Sequence, residues 1–210
     1  MSKTVGMVGL GIMGSAISRN LAERGWRVIG FDTDAGRRAE AAKAGVVIAE
    51  DTAGIARDAP VIMTSLPSPA AVIEVAGIIA GSAPSPRIVV ELSTLTIADK
   101  LRFEAILKQA GHNALDCPLS GTGAQAKTGD IVIYASGGSA EVKKLRPMFA
   151  GFSRGVYDLG EFGNGSRMKY VANLLVAIHN VASAEAMVLG MKSGLPPQLI
   201  FDLIQTGAGN

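Results

Sequence analysis

Lys169 and Asn173 are the residues of this sequence best suited to proton chemistry. They lie four apart in segment 166–193, whose apolar pattern without proline predicts a helix, so they share one face of it. Apolar surroundings lower the pKa of a lysine toward neutrality, where its amine can act as a general acid or base. Alternatively, Lys169 extends along the helix into solvent and Asn173 is a packing amide. Periodicity alone leaves both interpretations open.

A second candidate site is the polar, glycine-bearing segment 116–130, which follows a short predicted strand. The Ser120 hydroxyl and the backbone N–H groups of Gly121 and Thr122 are suited to hold a carboxylate. Binding residues often lie on loops that a rigid scaffold positions, but ordinary surface loops have a similar composition. The local residues therefore leave a carboxylate site and a plain loop equally open.

A glycine-rich turn near the N-terminus predicts a dinucleotide site. An apolar run at 4–8 is followed by Gly9, Gly11 and Gly14 in the spacing G-x-G-x-x-G. In such a turn the first glycine permits a sharp bend, the second leaves room for a pyrophosphate, and the third lets the next helix lie close to the strand. The helix N-terminus then offers N–H groups and a partial positive charge to the phosphates. The predicted cofactor contacts are the turn residues Gly9, Leu10, Gly11, Ile12, Met13 and Gly14.

Asp32 ends the second predicted strand and is the expected ligand of the ribose hydroxyls. Its charge repels a 2′-phosphate, which favours NAD over NADP. Arg37 and Arg38 could instead meet a 2′-phosphate, although arginines early in a helix are more often solvated. We therefore expect NAD as the cofactor, with NADP as the less favoured alternative. The alternative for the whole motif is a structural glycine turn that binds nothing.

Strand-like and helix-like segments alternate along most of the chain. Short apolar runs predict strands at 4–8, 26–31, 46–48, 61–65, 87–92, 114–116, 131–135 and 156–159. Helical patterns fall between them, after the glycine turn and at 35–44, 52–57, 70–76, 97–109 and 141–149. The alternation predicts an α/β protein with a Rossmann-type, mostly parallel sheet.

Ligands of such sheets bind beyond the carboxyl ends of the strands. That edge receives the glycine turn, Leu66 and Pro67 after one strand, Ser93 and Thr94 after another, and segment 116–130. Topology alone therefore gathers the candidate residues at one edge of the sheet.

The pattern changes near residue 163. Segment 166–193 is apolar nearly all round, so we expect a long helix that is buried on most sides and begins an all-helical second domain. Gly194 ends that helix, and Pro196 and Pro197 begin another. We predict a dinucleotide-binding domain over 1–162 and, over 163–210, an interdomain helix with the start of an incomplete helical domain.

The composition of the chain limits the kinds of function and partner that we expect. Hydrophobic residues make up 48 % of the chain and charged residues 18 %, which supports a sizeable core and argues against disorder. The net charge is only +2 and no basic block stands out, so we do not expect a nucleic-acid partner. No uncharged stretch of 18 residues is present, so we expect no membrane partner.

The cysteine and the two histidines of the chain do not predict a metal site. The single cysteine, Cys117, excludes an internal disulfide, is expected to be a packing residue, and fits a reducing, cytoplasmic compartment. His112 is interpreted as a loop residue and His179 as a helix-packing one. One cysteine and two separated histidines do not form a zinc site.

Several motifs together resemble a known family. They are Gly9-Leu-Gly-Ile-Met-Gly14 with Asn20-Leu21 and Gly25, Leu66-Pro67, Ser93-Thr94, D-x-P-x-S-G from Asp116 to Gly121, and G-x-G-x-x-x-K-x-x-x-N from Gly163 to Asn173. In this order they resemble the β-hydroxyacid dehydrogenases of the 3-hydroxyisobutyrate dehydrogenase type, whose N-terminal domain is like that of 6-phosphogluconate dehydrogenase. The likeness extends over nearly the whole chain.

The resemblance implies a role for each candidate. Lys169 exchanges a proton with the substrate hydroxyl while hydride passes between the substrate carbon and the nicotinamide, and Asn173 orients that hydroxyl or the lysine. Ser120, Gly121 and Thr122 bind the substrate carboxylate. The remaining residues lie at the cofactor: Leu66 and Pro67 pack on it, and Thr94 lies near both the nicotinamide and the substrate.

Three features depart from the family pattern. Thr122 stands where a second glycine is usual, which adds a hydroxyl near the substrate, and Ala172 replaces an asparagine, which removes a supporting hydrogen bond. The family also continues beyond the point where this chain stops at Asn210, so the resemblance predicts a C-terminally truncated protein. We then expect the apolar face of helix 166–193 to lack its cover and to drive homo-oligomerisation.

The sequence thus predicts an NAD-dependent oxidoreductase that transfers hydride between its cofactor and a small β-hydroxy acid or its semialdehyde. One alternative is an NADPH-dependent reductase of glyoxylate or succinic semialdehyde. The other is a noncatalytic dinucleotide-binding protein.

Overall fold

The fold is described from a computed structural model, over residues 3–207. The strands are β1 Thr4–Val8, β2 Arg27–Phe31, β3 Val47–Ile48, β4 Val61–Thr64, β5 Ile88–Glu91, β6 Asn113–Asp116, β7 Leu119–Ser120, β8 Val132–Gly137 and β9 Gly155–Asp158. The helices are α1 Ile12–Glu23, α2 Ala35–Lys43, α3 Thr52–Asp58, α4 Pro69–Ser82, α5 Ile97–Gln109, α6 Gly123–Thr128, α7 Ser139–Phe149, α8 Asn164–Lys192 and α9 Pro197–Ile204. Two compact units contain them, Met1–Lys169 and Tyr170–Asn210.

The first unit is built on a twisted sheet with the order β3-β2-β1-β4-β5-β6-β8-β7, and β9 pairs with β8. Strands β1 to β6 are parallel, and β8 runs antiparallel to both β6 and β7. Because β1 pairs with β2 on one side and β4 on the other, the strand order reverses there. This is the Rossmann arrangement, whose ligand crevice lies at the carboxyl ends of the strands beside that reversal. The predicted fold class is confirmed.

Alternating residues of the central strands bury themselves on opposite faces of the sheet. In β4, Met63 joins one core cluster with Ile17 and Phe149, whereas its neighbour Ile62 joins the other with Phe103. Both faces are therefore covered by helices, which explains why these strands are continuous apolar runs rather than alternating ones.

Helices α2 to α5 each begin directly after a residue whose side chain caps their first turn. Asp34, Asp51, Ser68 and Thr96 each accept a backbone N–H from the first turn of α2, α3, α4 or α5. Helix α4 extends to Ser82, well beyond the predicted end at residue 76, because glycines in a helix interior weaken a helix without breaking it.

Segment 116–130 is more ordered than a loop. It contains β7 and the short helix α6, which begins with a capping box between Thr122 and Gln125 and ends at Gly129 in the left-handed region with φ +73°. Of the two alternatives that the sequence left open, the plain loop does not describe this segment, and the capping box within it is a readable helix-start signal.

Helix α8 spans 29 residues, about 43 Å at 1.5 Å per residue. The prediction that it is buried on most sides is wrong for this chain, because only Gly165 and Ser166 of its residues are buried. Its apolar residues are exposed, for example Leu174 at 61 % and Val181 at 60 %. Within residues 170–207, α9 is the other helix, and its Ile200 packs against Gly190.

By length and composition alone, α8 could also cross a membrane. The core helix of a soluble protein meets the same criteria, so this one helix is weak evidence for a membrane span.

Candidate active site

The glycine turn between β1 and α1 has the geometry that its spacing predicts. Gly9 adopts φ +94°, and a Cβ there would collide with the carbonyl oxygen of Ser65. A Cβ on Gly14 would collide with the carbonyl oxygen of Gly9, so α1 starts directly against the end of β1. No residue other than glycine fits at either position.

Gly11 differs from these two glycines, since no packing against protein requires it. The nearest atom to a Cβ built there is Nη1 of Arg37, at 3.9 Å. Gly11 is also the N-cap of α1, which has no side-chain cap and no acidic residue in its first turn. The start of α1 therefore leaves open space and uncapped N–H groups, which fits an anionic pyrophosphate.

Asp32, at the end of β2, faces the turn and is 7 % exposed. Its Oδ2 accepts the N–H of Leu10 at 2.7 Å and its Oδ1 accepts the N–H of Asp34 at 2.9 Å. Each carboxylate oxygen can accept a further hydrogen bond, so Asp32 keeps capacity for a ribose hydroxyl. The bond to Leu10 also fixes the carboxylate against the glycine turn.

Arg37 and Arg38 both fold back toward Asp32. Nη1 of Arg37 lies 3.5 Å from Oδ2 of Asp32, although the Arg37 side chain is 56 % exposed. Arg38 donates to the backbone oxygens of Asp32 at 2.7 Å and Thr33 at 3.1 Å, and its guanidinium lies 5.8 Å from the centre of the Phe31 ring. Arg38 is thus occupied, whereas Arg37 is an exposed cation beside the Asp32 carboxylate.

Two turns at the sheet edge are joined directly. The N–H of Leu66, after β4, donates to Oγ of Ser93, after β5, at 2.9 Å. Leu66 is half-buried, whereas Pro67 and Thr94 are exposed. The structure thus brings the predicted Leu66-Pro67 and Ser93-Thr94 turns side by side.

The residues predicted to hold a carboxylate lie at β7 and the start of α6. Ser120 is half-buried in β7, and Gly121 adopts φ +144° with Ile131 against its Cα. The N–H of Thr122 already donates to Oε1 of Gln125 at 2.9 Å, and the Thr122 hydroxyl caps the N–H of Gln125 at 3.3 Å. The extra hydroxyl of Thr122 therefore serves helix capping here.

Asn20, on α1, ties this segment to the glycine turn. Its amide donates to the carbonyl oxygen of Ala126 in α6 at 2.8 Å, and Asn20 is buried. The dinucleotide turn and the predicted carboxylate segment therefore share one rigid support.

Lys169 lies in the second turn of α8 and is half-buried. Burial lowers the pKa of its amine below the ordinary lysine value. Within residues 3–207 no carboxylate lies within ion-pair distance of it to oppose that effect. Asn173 lies one turn further along α8 and is exposed, and Ala172 beside it is half-buried.

A buried ion cluster underlies the site and was missed by sequence reasoning. Lys100 of α5 contacts Glu91 of β5 and Asp116 of β6, and all three side chains are fully buried. Lys100 shares the buried face of α5 with Phe103 and Leu107, so a lysine at that helical spacing was the available signal. The prediction had used Asp116 only as part of a motif.

Cys117, His112 and His179 do not lie together. Cys117 is buried, as predicted for a packing residue, and burial raises the pKa of its thiol. His112 lies in the connection between α5 and β6, as predicted for a loop residue, and it is buried, with Nδ1 accepting the N–H of Arg87 at 3.2 Å. His179 is exposed, so its predicted packing role is wrong because no described element covers that part of α8. Among the described residues no group of three or more His, Cys, Asp or Glu is placed to hold a metal.

The sheet order, the uncapped helix start at Gly11 and the acid at the end of β2 define a dinucleotide-binding protein of the Rossmann class. Comparison with known proteins identifies the family within this class. Residues 4–160 match the family described as the NAD binding domain of 6-phosphogluconate dehydrogenase, and residues 163–210 match the NAD-binding domain of NADP-dependent 3-hydroxyisobutyrate dehydrogenase.

Individual relatives agree with this match. The chain is 28 % identical to 2-(hydroxymethyl)glutarate dehydrogenase of Eubacterium barkeri over 98 % of its own length and 69 % of the relative's. It is 28 % identical to glyoxylate/succinic semialdehyde reductase 1 of Arabidopsis thaliana, over 97 % and 72 %. The solved structure of Mycobacterium tuberculosis 3-hydroxyisobutyrate dehydrogenase with L-serine superposes with a TM-score of 0.92 at 29 % identity, over 100 % and 72 %.

The chain therefore belongs to the β-hydroxyacid dehydrogenases of the 3-hydroxyisobutyrate dehydrogenase type. It is an oxidoreductase that uses a nicotinamide dinucleotide and acts on hydroxy acids.

Proposed function

We propose that this protein catalyses NAD-dependent oxidation of a small β-hydroxy acid to its semialdehyde, and the reverse reaction. The observation that carries the proposal is the glycine turn, where Gly9 and Gly14 are required by the backbone and Gly11 faces open space at an uncapped helix start. That arrangement fits a pyrophosphate, and the family membership supplies the reaction class.

In this proposal the dinucleotide contacts the turn residues Gly9, Leu10, Gly11, Ile12, Met13 and Gly14. Its phosphates lie at the uncapped start of α1, beside Gly11, because the N–H groups of Gly9 and Leu10 already donate to Phe31 and Asp32. The ribose hydroxyls bind Asp32, Leu66 and Pro67 pack on the cofactor, and Thr94 lies beside the nicotinamide and the substrate. We also propose that residues 1–162 form this cofactor domain and residues 163–210 the helical part of the protein.

Lys169 is proposed as the catalytic acid and base. In oxidation its neutral amine accepts the proton of the substrate hydroxyl, and in reduction its ammonium returns that proton to the forming alkoxide. A bound nicotinamide would accept or supply the hydride. The lowered pKa of Lys169 supports this role, because a neutral amine is then more accessible. Asn173 is proposed to orient the substrate hydroxyl or the lysine.

Ser120 and Gly121 are proposed to hold the substrate carboxylate, together with Thr122. The N–H of Thr122 donates to Gln125 in the described structure, so its use by a substrate requires the Gln125 side chain to move aside. The Ser120 hydroxyl and a backbone N–H supply charge-assisted hydrogen bonds to the carboxylate.

NAD is proposed as the preferred cofactor because the Asp32 carboxylate is fixed at the ribose position by Leu10 and Asp34. A 2′-phosphate there would face a buried negative charge. The second candidate is an NADP-dependent semialdehyde reductase. Arg37 favours it, since this exposed cation lies 3.5 Å from Asp32 and could neutralise a 2′-phosphate.

The exposed apolar residues of α8 support a further proposal, that copies of this chain associate through the helical region. They form a stripe that includes Val171, Leu174, Leu175, Ile178 and Val181.

The reaction is tested by following NAD reduction with a panel of small β-hydroxy acids, for the native protein, Lys169→Ala and Lys192→Ala. Lys192 is an exposed lysine at the far end of the same helix and is the matched control. We expect Lys169→Ala to lose at least about a hundredfold in kcat with NAD binding retained, and Lys192→Ala to behave like the native protein. Equal rates for the native protein and Lys169→Ala would refute the catalytic role.

A further inference from the structure

We propose that Lys100 is a positioning residue: through a buried ion cluster with Glu91 and Asp116 it fixes both the first turn of α8, which precedes Lys169, and the Ser93 turn beside the cofactor. This inference rests on the proposed function of Lys169. The proposal follows from which atoms each member of the cluster binds.

The Lys100 ammonium has an acceptor for each of its three donors. It contacts the Glu91 carboxylate, donates to the carbonyl oxygen of Ser93 at 2.7 Å, and lies 2.9 Å from Oδ1 of Asp116. An ammonium has no further hydrogen-bonding capacity, so Lys100 is fully satisfied at complete burial. Its position is therefore determined by three separate backbone elements, the ends of β5 and β6 and the turn after β5.

Asp116 carries the connection to α8. Its Oδ2 accepts the backbone N–H of Ser166 at 2.8 Å, and its Oδ1 accepts the Ser166 hydroxyl at 2.9 Å. The hydroxyl of Ser136 accepts the N–H of Gly165 at 2.9 Å and donates to the carbonyl oxygen of Asp116 at 3.1 Å. The first turn of α8 is thus capped by residues of the sheet rather than by its own preceding chain.

The same turn lies so close to the sheet that only glycine fits. A Cβ on Gly165 would lie 2.7 Å from the carbonyl oxygen of Asp116 and would collide with that of Tyr134. Lys169 follows four residues later, one turn along the helix. A shift of Asp116 therefore moves the helix start, and with it the backbone that carries the proposed catalytic amine.

The N-terminus of α8 offsets part of the net negative charge of the cluster. Glu91 and Asp116 carry two negative charges and Lys100 one positive charge. The N-terminus of a helix supplies a partial positive charge, and the N-terminal turn of α8 faces Asp116. The cluster and the helix start therefore stabilise each other electrostatically.

Through Glu91, the cluster is also bonded to the turns on the cofactor side of the site. Oε1 of Glu91 accepts the N–H of Ser93 at 2.9 Å, and Oγ of Ser93 accepts the N–H of Leu66 at 2.9 Å. The Leu66 turn, the Ser93 turn and the start of α8 thus meet through one set of buried bonds. An apolar core could stabilise the fold equally well, since buried ion pairs contribute little net stability, but it could not fix these three segments by directional bonds.

The test uses Lys100→Met combined with Glu91→Gln, which removes one positive and one negative charge and leaves the Asp116 carboxylate bonded to Ser166. The two substitutions keep side-chain volume and retain an acceptor for Ser93. The matched control is Glu40→Gln combined with Lys43→Met, which removes an exposed lysine–glutamate pair at 2.6 Å. Because the glutamine introduced at position 91 still accepts the N–H of Ser93 and so holds the turn beside the cofactor, we expect the buried double variant to bind NAD with an affinity within about twofold of the native protein. We expect it to lose about tenfold to a hundredfold in kcat, with little change in KM for the hydroxy acid. A kcat within about twofold of the native value would overturn the proposal.

Two further measurements keep the test decisive. If the buried double variant does not fold, Ser166→Ala removes the hydroxyl bond to Oδ1 of Asp116 and leaves the backbone N–H bond to Oδ2. We then expect a loss of about threefold to tenfold in kcat with NAD binding retained, and an unchanged kcat would overturn the proposal. If the native protein turns over no hydroxy acid, the proposed function fails instead. Hydrogen exchange of the Ser166 amide then decides the positioning role: faster exchange in the double variant supports it, and an unchanged rate refutes it.

Discussion

At the scale of single residues, the amine of Lys169 sets the pH dependence of the proposed reaction. Burial lowers its pKa below the ordinary value of 10.5. Oxidation needs the neutral amine, so kcat/KM for the hydroxy acid should rise with pH and level off at a pKa below 10.5. Reduction of the semialdehyde needs the ammonium and should fall with pH through the same pKa. A pH profile of kcat/KM in both directions checks this, and Lys169→Ala should lack the shared limb.

Asp32 sets the choice of dinucleotide in our proposal. Asp32→Ser removes the charge that faces the 2′ position, so we expect the ratio of kcat/KM for NAD to that for NADP to fall by at least about tenfold. Adding Arg37→Ala to that variant should weaken NADP again, because Arg37 is the nearby cation. Asp34→Ser is the control, since serine can also cap α2 and Asp34 is exposed. An unchanged preference in Asp32→Ser would contradict Asp32 as the ribose ligand.

His112 makes the stability of the cofactor domain depend on pH. Burial, and then the Arg87 charge, lower the pKa of His112 below 6.5 in the folded state. The unfolded chain therefore binds the proton more tightly, and the free energy of unfolding should decrease as pH falls below about 6.5. Urea unfolding on either side of that pH measures the effect. His112→Asn, which keeps an acceptor for Arg87, should lose most of the pH dependence, whereas His179→Asn should retain it because His179 is exposed.

At the scale of elements, β1 and α1 can pack closely only because the glycines at their junction have no side chains. A methyl group at Gly14 would overlap the carbonyl oxygen of Gly9, which is backbone and cannot move aside. We expect Gly14→Ala to lower the free energy of unfolding by about 1–3 kcal/mol and to weaken NAD binding at least tenfold, about the effect of overpacking at a ligand turn.

The matched control is Gly77→Ala in α4, where nothing lies within 4 Å of the added methyl group. There the alanine should stabilise the protein by about 0.5–1 kcal/mol, because it favours the helix. Thermal unfolding and NAD titration of both variants measure the two effects. A Gly14→Ala protein as stable as Gly77→Ala would contradict the close packing of α1 on β1.

At the scale of the whole molecule, the exposed apolar face of α8 predicts self-association. Leu174 and Val181 lie two turns apart on this helix and are both exposed. We expect sedimentation velocity to show association that increases with concentration, and Leu174→Glu combined with Val181→Glu to abolish it. Leu101→Glu on α5 controls for adding a carboxylate at another exposed leucine. A native protein that sediments as a monomer at all concentrations would refute this proposal.

The structural features that can be predicted from this sequence are those that depend on neighbouring residues. The glycine turn, the strand before it and helix α5 are found where the sequence predicts them, because each depends on neighbouring residues: glycines that permit positive φ, apolar runs and the Thr96 cap. The same local reasoning fails at segment 116–130, where polar composition concealed a capping box and a short helix.

The buried cluster was not predictable in the same way. Glu91, Lys100 and Asp116 lie on three different elements, and only the sheet register of β5 with β6 places the two carboxylates side by side. Lys100 could be recognised as a lysine on an apolar helix face, but its partners could not, since sequence distance carries no information on contacts across strands.

The sequence by itself determined the dinucleotide turn, the order of the elements and the residue types available for proton transfer, because glycine conformations and apolar periodicity are fixed by short-range sterics and burial. Only the tertiary structure decided that Asn20 binds the carbonyl oxygen of Ala126 and that Asp116 caps the start of α8. Such pairings depend on which donors and acceptors the packed sheet brings within hydrogen-bond distance, and that is a property of the folded chain rather than of any one segment.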